Sequence, residues 1–180
     1  RSSLVGSEMC IRDSANRVLS LIKKYYDGKI PKVESKNRVD ELVLEDVKVL
    51  KEEIESNLDS FKFREATKNL MNIARVGNKY LAETEPWKIK ESDPLRVEQI
   101  LHTSFIIISY LAIVSEPFLP FTSVKLKNMI GLNDYSWDDL DKIFGVINYN
   151  FTIVDIEILF KRMEDSEIEY QIDKLKKSAN

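Results

Sequence analysis

One cysteine, one histidine, five glycines and five prolines in 180 residues leave this chain few groups for redox, metal or loop chemistry. A lone thiol, Cys10, can form neither an internal disulfide nor a cysteine-based zinc site. Such a composition fits a reducing, cytoplasmic setting. Glu52, Glu53 and Glu55 have no histidine partners, so they read as a solvated helix face and no metal site is expected. The scarcity of glycine and proline leaves long stretches without a breaker. That favours helices over a many-stranded sandwich, which needs frequent turns. Long hydrophobic runs are also missing. The most apolar stretch, residues 100–114, is interrupted by His102, Thr103, Ser104 and Ser109. It is too short and too polar to cross a bilayer and is expected to be a buried helix, so no membrane partner is expected. No signal-peptide pattern opens the chain.

What is present describes a globular protein of one domain, with 43% hydrophobic and 32% charged residues. Net charge is -3, which argues against indiscriminate nucleic-acid binding and against DNA as a partner. The charge is unevenly spread. Residues 15–38 hold Arg17, Lys23, Lys24, Lys29, Lys32, Lys36 and Arg38 against Asp27 and Glu34, a local +5. Residues 1–14 balance at zero, so residues 39–180 carry -8. A basic end on an acidic body suits a protein that meets a polyanion at one place; a solvated basic face without a partner is the plainer alternative.

Residues 1–14 show no sustained helical period, and they resemble a translated sequencing adapter. They are set apart as a foreign head, with the first helix expected to be incomplete and the natural chain to extend upstream of Ala15. From Ala15, the residues Val18, Leu19, Ile22, Tyr25 and Tyr26 form one apolar stripe, ended by Asp27 and Gly28. A second helix is expected over 39–58, with Leu42, Val43, Val47, Leu50, Ile54 and Leu58 inward. A third, over 63–81, carries Ala66, Leu70, Ile73, Ala74, Gly77 and Leu81; its small residues Ala74 and Gly77 permit close helix approach. A fourth starts near Pro94, runs to about Ser115 and should lie at the centre. Thr122 or Ser123 is expected to cap a short helix ending at Gly131, and Ser136 to open another with a carboxylate at its third position. The β-prone stretch 146–154 reads as an extended connector, and 155–177 as a last amphipathic helix. The fold class is an all-α helical bundle, and residues 178–180 are a tail or linker start.

Three stretches carry a resemblance that periodicity cannot supply. The first runs from Asn16, Arg17, Val18 and Leu19 to Lys24, Tyr25, Tyr26, Asp27, Gly28, Lys29, Ile30 and Pro31. The second is Phe63-Arg64-Glu65-Ala66, then Asn72 through Leu81, closing on Glu85-Pro86-Trp87-Lys88. The third is Glu116 to Thr122, with Leu159 to Asp165 further on. In this order and spacing residues 15–177 resemble the C-terminal helical domain of bacterial methionyl-tRNA synthetases, a class I anticodon-binding bundle. The resemblance implies a module that receives the CAU anticodon loop of methionine tRNA. It implies a parent enzyme that uses ATP with magnesium to activate methionine. The two nucleotide-binding signatures of the class I catalytic domain do not occur here, so the fragment itself is expected to have no cofactor, no catalytic residues and no activity. The lysine-rich end at Lys174 to Lys177 leaves room for a further tRNA-binding or dimerisation module.

The resemblance places the anticodon readers on the first helix and after the third. The arginine falls on Arg17 and the tryptophan on Trp87, while the family's asparagine, four residues before the arginine, falls on Asp13. The residue types suit single-stranded RNA, whose splayed bases stack on aromatic rings and are hydrogen-bonded on their edges. Lys23, Lys24 and Lys29 would add salt-sensitive backbone attraction. Asn16 and Asn78 are further candidate contacts, as are Arg75 and Lys79, for which ion pairing is the equal alternative. His102 reads as structural, and Trp137 as packing its short helix on the bundle. Two other functions compete: a helical adaptor that binds protein, and the corresponding domain of a sister synthetase such as the valyl or cysteinyl enzyme.

Overall fold

A computed structural model describes residues 3–33, 35, 37–140, 142, 143, 152, 153, 170, 172, 174 and 176. In order along the chain it has α1 (Ser3–Tyr26), α2 (Arg38–Asp59), α3 (Phe63–Thr84), a single turn α4 (Pro86–Ile89), α5 (Pro94–Val114) and α6 (Pro120–Ile130). A 3-10 turn follows at Trp137–Asp139. The described residues contain no strand, and the all-α expectation holds.

The helix ends follow local chemistry. Asn37 caps α2, its side chain accepting from the Val39 amide at 3.1 Å while Asp40 accepts from the Asn37 amide at 3.3 Å. Asp93 caps α5 by accepting from the Arg96 amide at 3.0 Å, and Pro94 occupies the first turn. Gly131 closes α6 in the left-handed conformation, φ +72°. Ser136 and Asp139 form the reciprocal cap expected of them.

α5 is the axis of the bundle. It packs against α1, α2, α3, α4 and α6, and every residue from 100 to 114 is buried. Each fully buried Leu, Ile or Phe there contributes roughly 1.5–3 kcal/mol of transfer free energy. α5 is the one helix among the described residues long and apolar enough by composition to span a bilayer, and 89% of its most apolar window is covered by the bundle. His102 donates from Nδ1 to the Pro31 carbonyl at 2.9 Å, tying the loop after α1 to this axis. α3 buries its whole expected stripe. A Cβ on Gly77 would meet Ile107 Cγ2 at 3.1 Å and Ser14 Oγ at 3.2 Å, so glycine is what lets α1, α3 and α5 close on one another.

Four expectations are corrected. The first helix begins at Ser3 rather than Ala15, and it is not truncated: Ile11 is fully buried and Ser14 nearly so. The weak periodicity of residues 1–14 does not prevent them from continuing a helix that α3 and α5 already template. On α2 the inward face is Asp40, Leu44, Val47 and Ile54, while Leu42 stays exposed. The face is rotated because Asp40 turns inward to an arginine partner described below. Residues 86–89, read as a break, form the separate turn α4. α6 starts at Pro120, so Thr122 and Ser123 lie inside it, and the Ser123 hydroxyl donates to the Ala112 carbonyl.

The helix expected over 155–177 lies outside the described residues except at 170, 172, 174 and 176, which are helical. The motif stretch 159–165 and the tail 178–180 also lie outside them. Of the connector 146–154, Thr152 forms an antiparallel bridge with Lys29, and the Ile153 amide donates to the Gly28 carbonyl at 2.9 Å. Gly28 sits at φ +78° there, and a Cβ would stand 3.3 Å from the Ile153 carbonyl oxygen.

Candidate nucleic-acid interface

Trp87 owes its position to a reversal of the chain. Glu85 ends α3 in the left-handed conformation, φ +40°, and Pro86 starts α4 with its ring buried. The next side chain is thereby turned outward, and Trp87 is 43% exposed. On the facing side, α1 presents Asn16, Arg17, Ser20 and Leu21. These four and Trp87 line a shallow depression of about 360 Å³. Leu21 and the indole give it an apolar floor, and Asn16, Arg17 and Ser20 place donors and acceptors at its edge.

The charged groups around it are half in water. Arg17 Nη2 lies 2.8 Å from Asp13 Oδ2 one turn back on α1, with side-chain exposures of 52% and 48%. One turn beyond Leu21, Lys90 stands over the Tyr25 ring at 4.2 Å and Lys24 at 5.8 Å, cation–π contacts that hold positive charge beside the depression. Lys23 and Lys24 occupy the last turn of α1, where the helix dipole favours cations. The Tyr26 hydroxyl is pushed up to about 12 by burial, and then by the nearby Glu98 and Tyr25. It therefore stays neutral at physiological pH.

The remaining candidates are distributed differently. Asn78 donates to the Cys10 carbonyl at 3.0 Å and has its Oδ1 buried, so it braces α1 against α3 rather than joining the depression. Arg75 donates to Asn72 at 2.9 Å, and with Lys79 it lines a separate groove of about 420 Å³ between α2 and α3. Lys29 is exposed in the bridged loop. Glu55 pairs with Lys51 at 2.7 Å and accepts from the Trp137 indole; Glu53 accepts from Asn69. Trp137 packs on the core as expected.

Two features escaped the sequence reading. Ser20 and Leu21 line the depression but look like ordinary helix residues. The second is a buried network: Asp40, fully buried, takes a bidentate guanidinium from Arg96 at 2.6 and 2.7 Å and the Tyr80 hydroxyl at 2.6 Å. Burial pushes the Asp40 carboxyl up, but the hydrogen bonds from Arg96 and Tyr80, the Arg96 charge and the Asn37 amide together hold it below its ordinary value. The only sequence hint was an aspartate at the third position of α2.

A family model described as the anticodon binding domain of methionyl tRNA ligase matches residues 30–178. The chain belongs to that family. Methionine–tRNA ligases of Phocaeicola vulgatus, Porphyromonas gingivalis and Cytophaga hutchinsonii are similar to it at 43%, 44% and 43% identity over 160, 161 and 167 residues. Those alignments cover 89–92% of this chain and 23–24% of each ligase, so the chain spans about a quarter of the length of these relatives. The fold is that of a stretch of Mycobacterium tuberculosis methionyl-tRNA synthetase, with TM-score 0.77 and 21% identity over 84% of this chain and 31% of that one. Within this anticodon-binding family the position of Trp87 falls inside the matched range, and Arg17 lies N-terminal to it. The membership sets aside the sister synthetases and the adaptor as assignments.

Proposed function

We propose that residues 15–177 are the part of a methionine–tRNA ligase that receives the CAU anticodon loop of methionine tRNA, with residues 1–14 a foreign extension that continues α1. The observation that carries the reading is that Arg17 and Trp87, seventy residues apart in sequence, line one depression on the surface. A base entering it stacks on the indole, the Arg17 fork meets its edge or a neighbouring phosphate, and Asn16 and Ser20 offer further hydrogen bonds. Lys23, Lys24 and Lys29 attract the backbone on either side. The larger enzyme, cytoplasmic, would supply ATP and magnesium chemistry from its own catalytic domain; this chain's residues supply binding and orientation only.

The test is a titration at fixed salt, following Trp fluorescence, of a CAU stem-loop and a copy changed at one anticodon base. Preference for CAU is expected, and it should be lost in Arg17→Glu. Equal binding of any anticodon loop would exclude the reading, and binding indifferent to Arg17→Glu would point instead to a helical adaptor.

A further inference from the structure

We infer that the Asp13 carboxylate is a built-in brake on this surface: it holds the Arg17 guanidinium away from RNA, so that removing its charge tightens binding. The inference rests on the anticodon-loop reading, and it concerns a residue that reading does not use. The geometry has three parts. Asp13 and Arg17 are one turn apart on α1 with the acid N-terminal, the more favourable order for an i,i+4 pair, and their charged atoms are 2.8 Å apart. Both side chains are about half exposed, so the pair is in reach of an incoming polyanion rather than locked in the core. Arg17 also lines the depression with Trp87, so the guanidinium that would meet a base edge or phosphate is the one Asp13 occupies.

An anion approaching this depression therefore meets a neutralised arginine, and a carboxylate whose negative charge repels phosphate. To use Arg17 the RNA must displace Asp13, losing the ion pair, or bind beside it and accept like-charge repulsion. Both costs vanish when residue 13 is an uncharged isostere. Because the pair is at the surface, both are moderate and are screened by salt.

The experiment compares the full chain with Asp13→Asn, Arg17→Ala, the double variant and Trp87→Ala, each titrated with the CAU stem-loop at low and at physiological salt. Asp13→Asn should bind about three- to tenfold more tightly at low salt, with a smaller gain at higher salt. The double variant should bind like Arg17→Ala alone, since the brake acts through Arg17. Thermal midpoints should be nearly the same for the parent chain and Asp13→Asn, which separates the effect from a change in folding. Unchanged or weaker binding by Asp13→Asn overturns the inference. So does an equal gain in the Arg17→Ala background, because Asp13 would then act as a bare charge. Failure of the underlying reading looks different: Trp87→Ala would bind as well as the parent chain.

Discussion

An indole left 43% exposed beside an arginine is an unusual use of a large apolar side chain, and the reason lies in its immediate neighbours. Glu85 and Pro86 turn the chain so that Pro86 takes the buried place and Trp87 faces the groove. If the indole serves as a stacking platform, Trp87→Ala should cost about 1–3 kcal/mol of binding free energy, with Trp87→Phe losing less because a ring remains. The loss should appear in stem-loop affinity with little change in thermal midpoint, since the side chain is not part of the core. A large drop in stability with unchanged affinity would show that the ring is structural. Asn78 teaches the opposite lesson. A polar residue near the site in sequence spends its donor on the Cys10 carbonyl, because a half-buried amide must be satisfied wherever a partner is nearest.

Among the elements, α1 matters most to the site and was the hardest to read. The stripe from Val18 to Tyr26 was legible because it repeats at three and four residues, whereas residues 3–14 carry little such signal. They are nonetheless helical, and Ile11 is fully enclosed in the core. Ile11→Ala should therefore lower stability by about 2–5 kcal/mol, measured by denaturant unfolding. A cost near zero would mean that the helix is dispensable before Ala15. The stripe of α3 was legible in full because it is uniformly apolar or small. That of α2 was not, because a buried aspartate takes a place that hydrophobicity alone assigns to its neighbours.

For the whole molecule, the network joining α2, α3 and α5 through Asp40, Tyr80 and Arg96 sets how stability depends on pH. The folded carboxyl of Asp40 is held below the ordinary value of about 3.9. Its contribution is thus fully present above that value and is lost as pH falls through the lower, folded value. Arg96→Met leaves Asp40 buried without its counter-charge and should cost roughly 3–5 kcal/mol at neutral pH. The same variant should lose much less stability than the parent chain on acidification from about pH 5 to about pH 3, because protonating an unpaired buried carboxyl is favourable. Parallel pH profiles for the two proteins would show that the ion pair does not couple to folding.

The sequence by itself determined the all-α class, the central place of residues 100–114, the ends at Gly28, Pro94 and Gly131, and the motif that points to Arg17 and Trp87. These are legible because helical period, capping and breaker chemistry act within a few residues, and because motif order is a property of the chain. Only the tertiary structure decided that Arg17 and Trp87 share a depression, that Asp13 holds Arg17, that Asn78 faces inward and that Asp40 finds Arg96. Each of those depends on which helix faces lie together, and that is set by packing between residues far apart along the chain. The close approach at Gly77 shows the dependence most directly: a missing side chain on α3 fixes how near α1 and α5 can come.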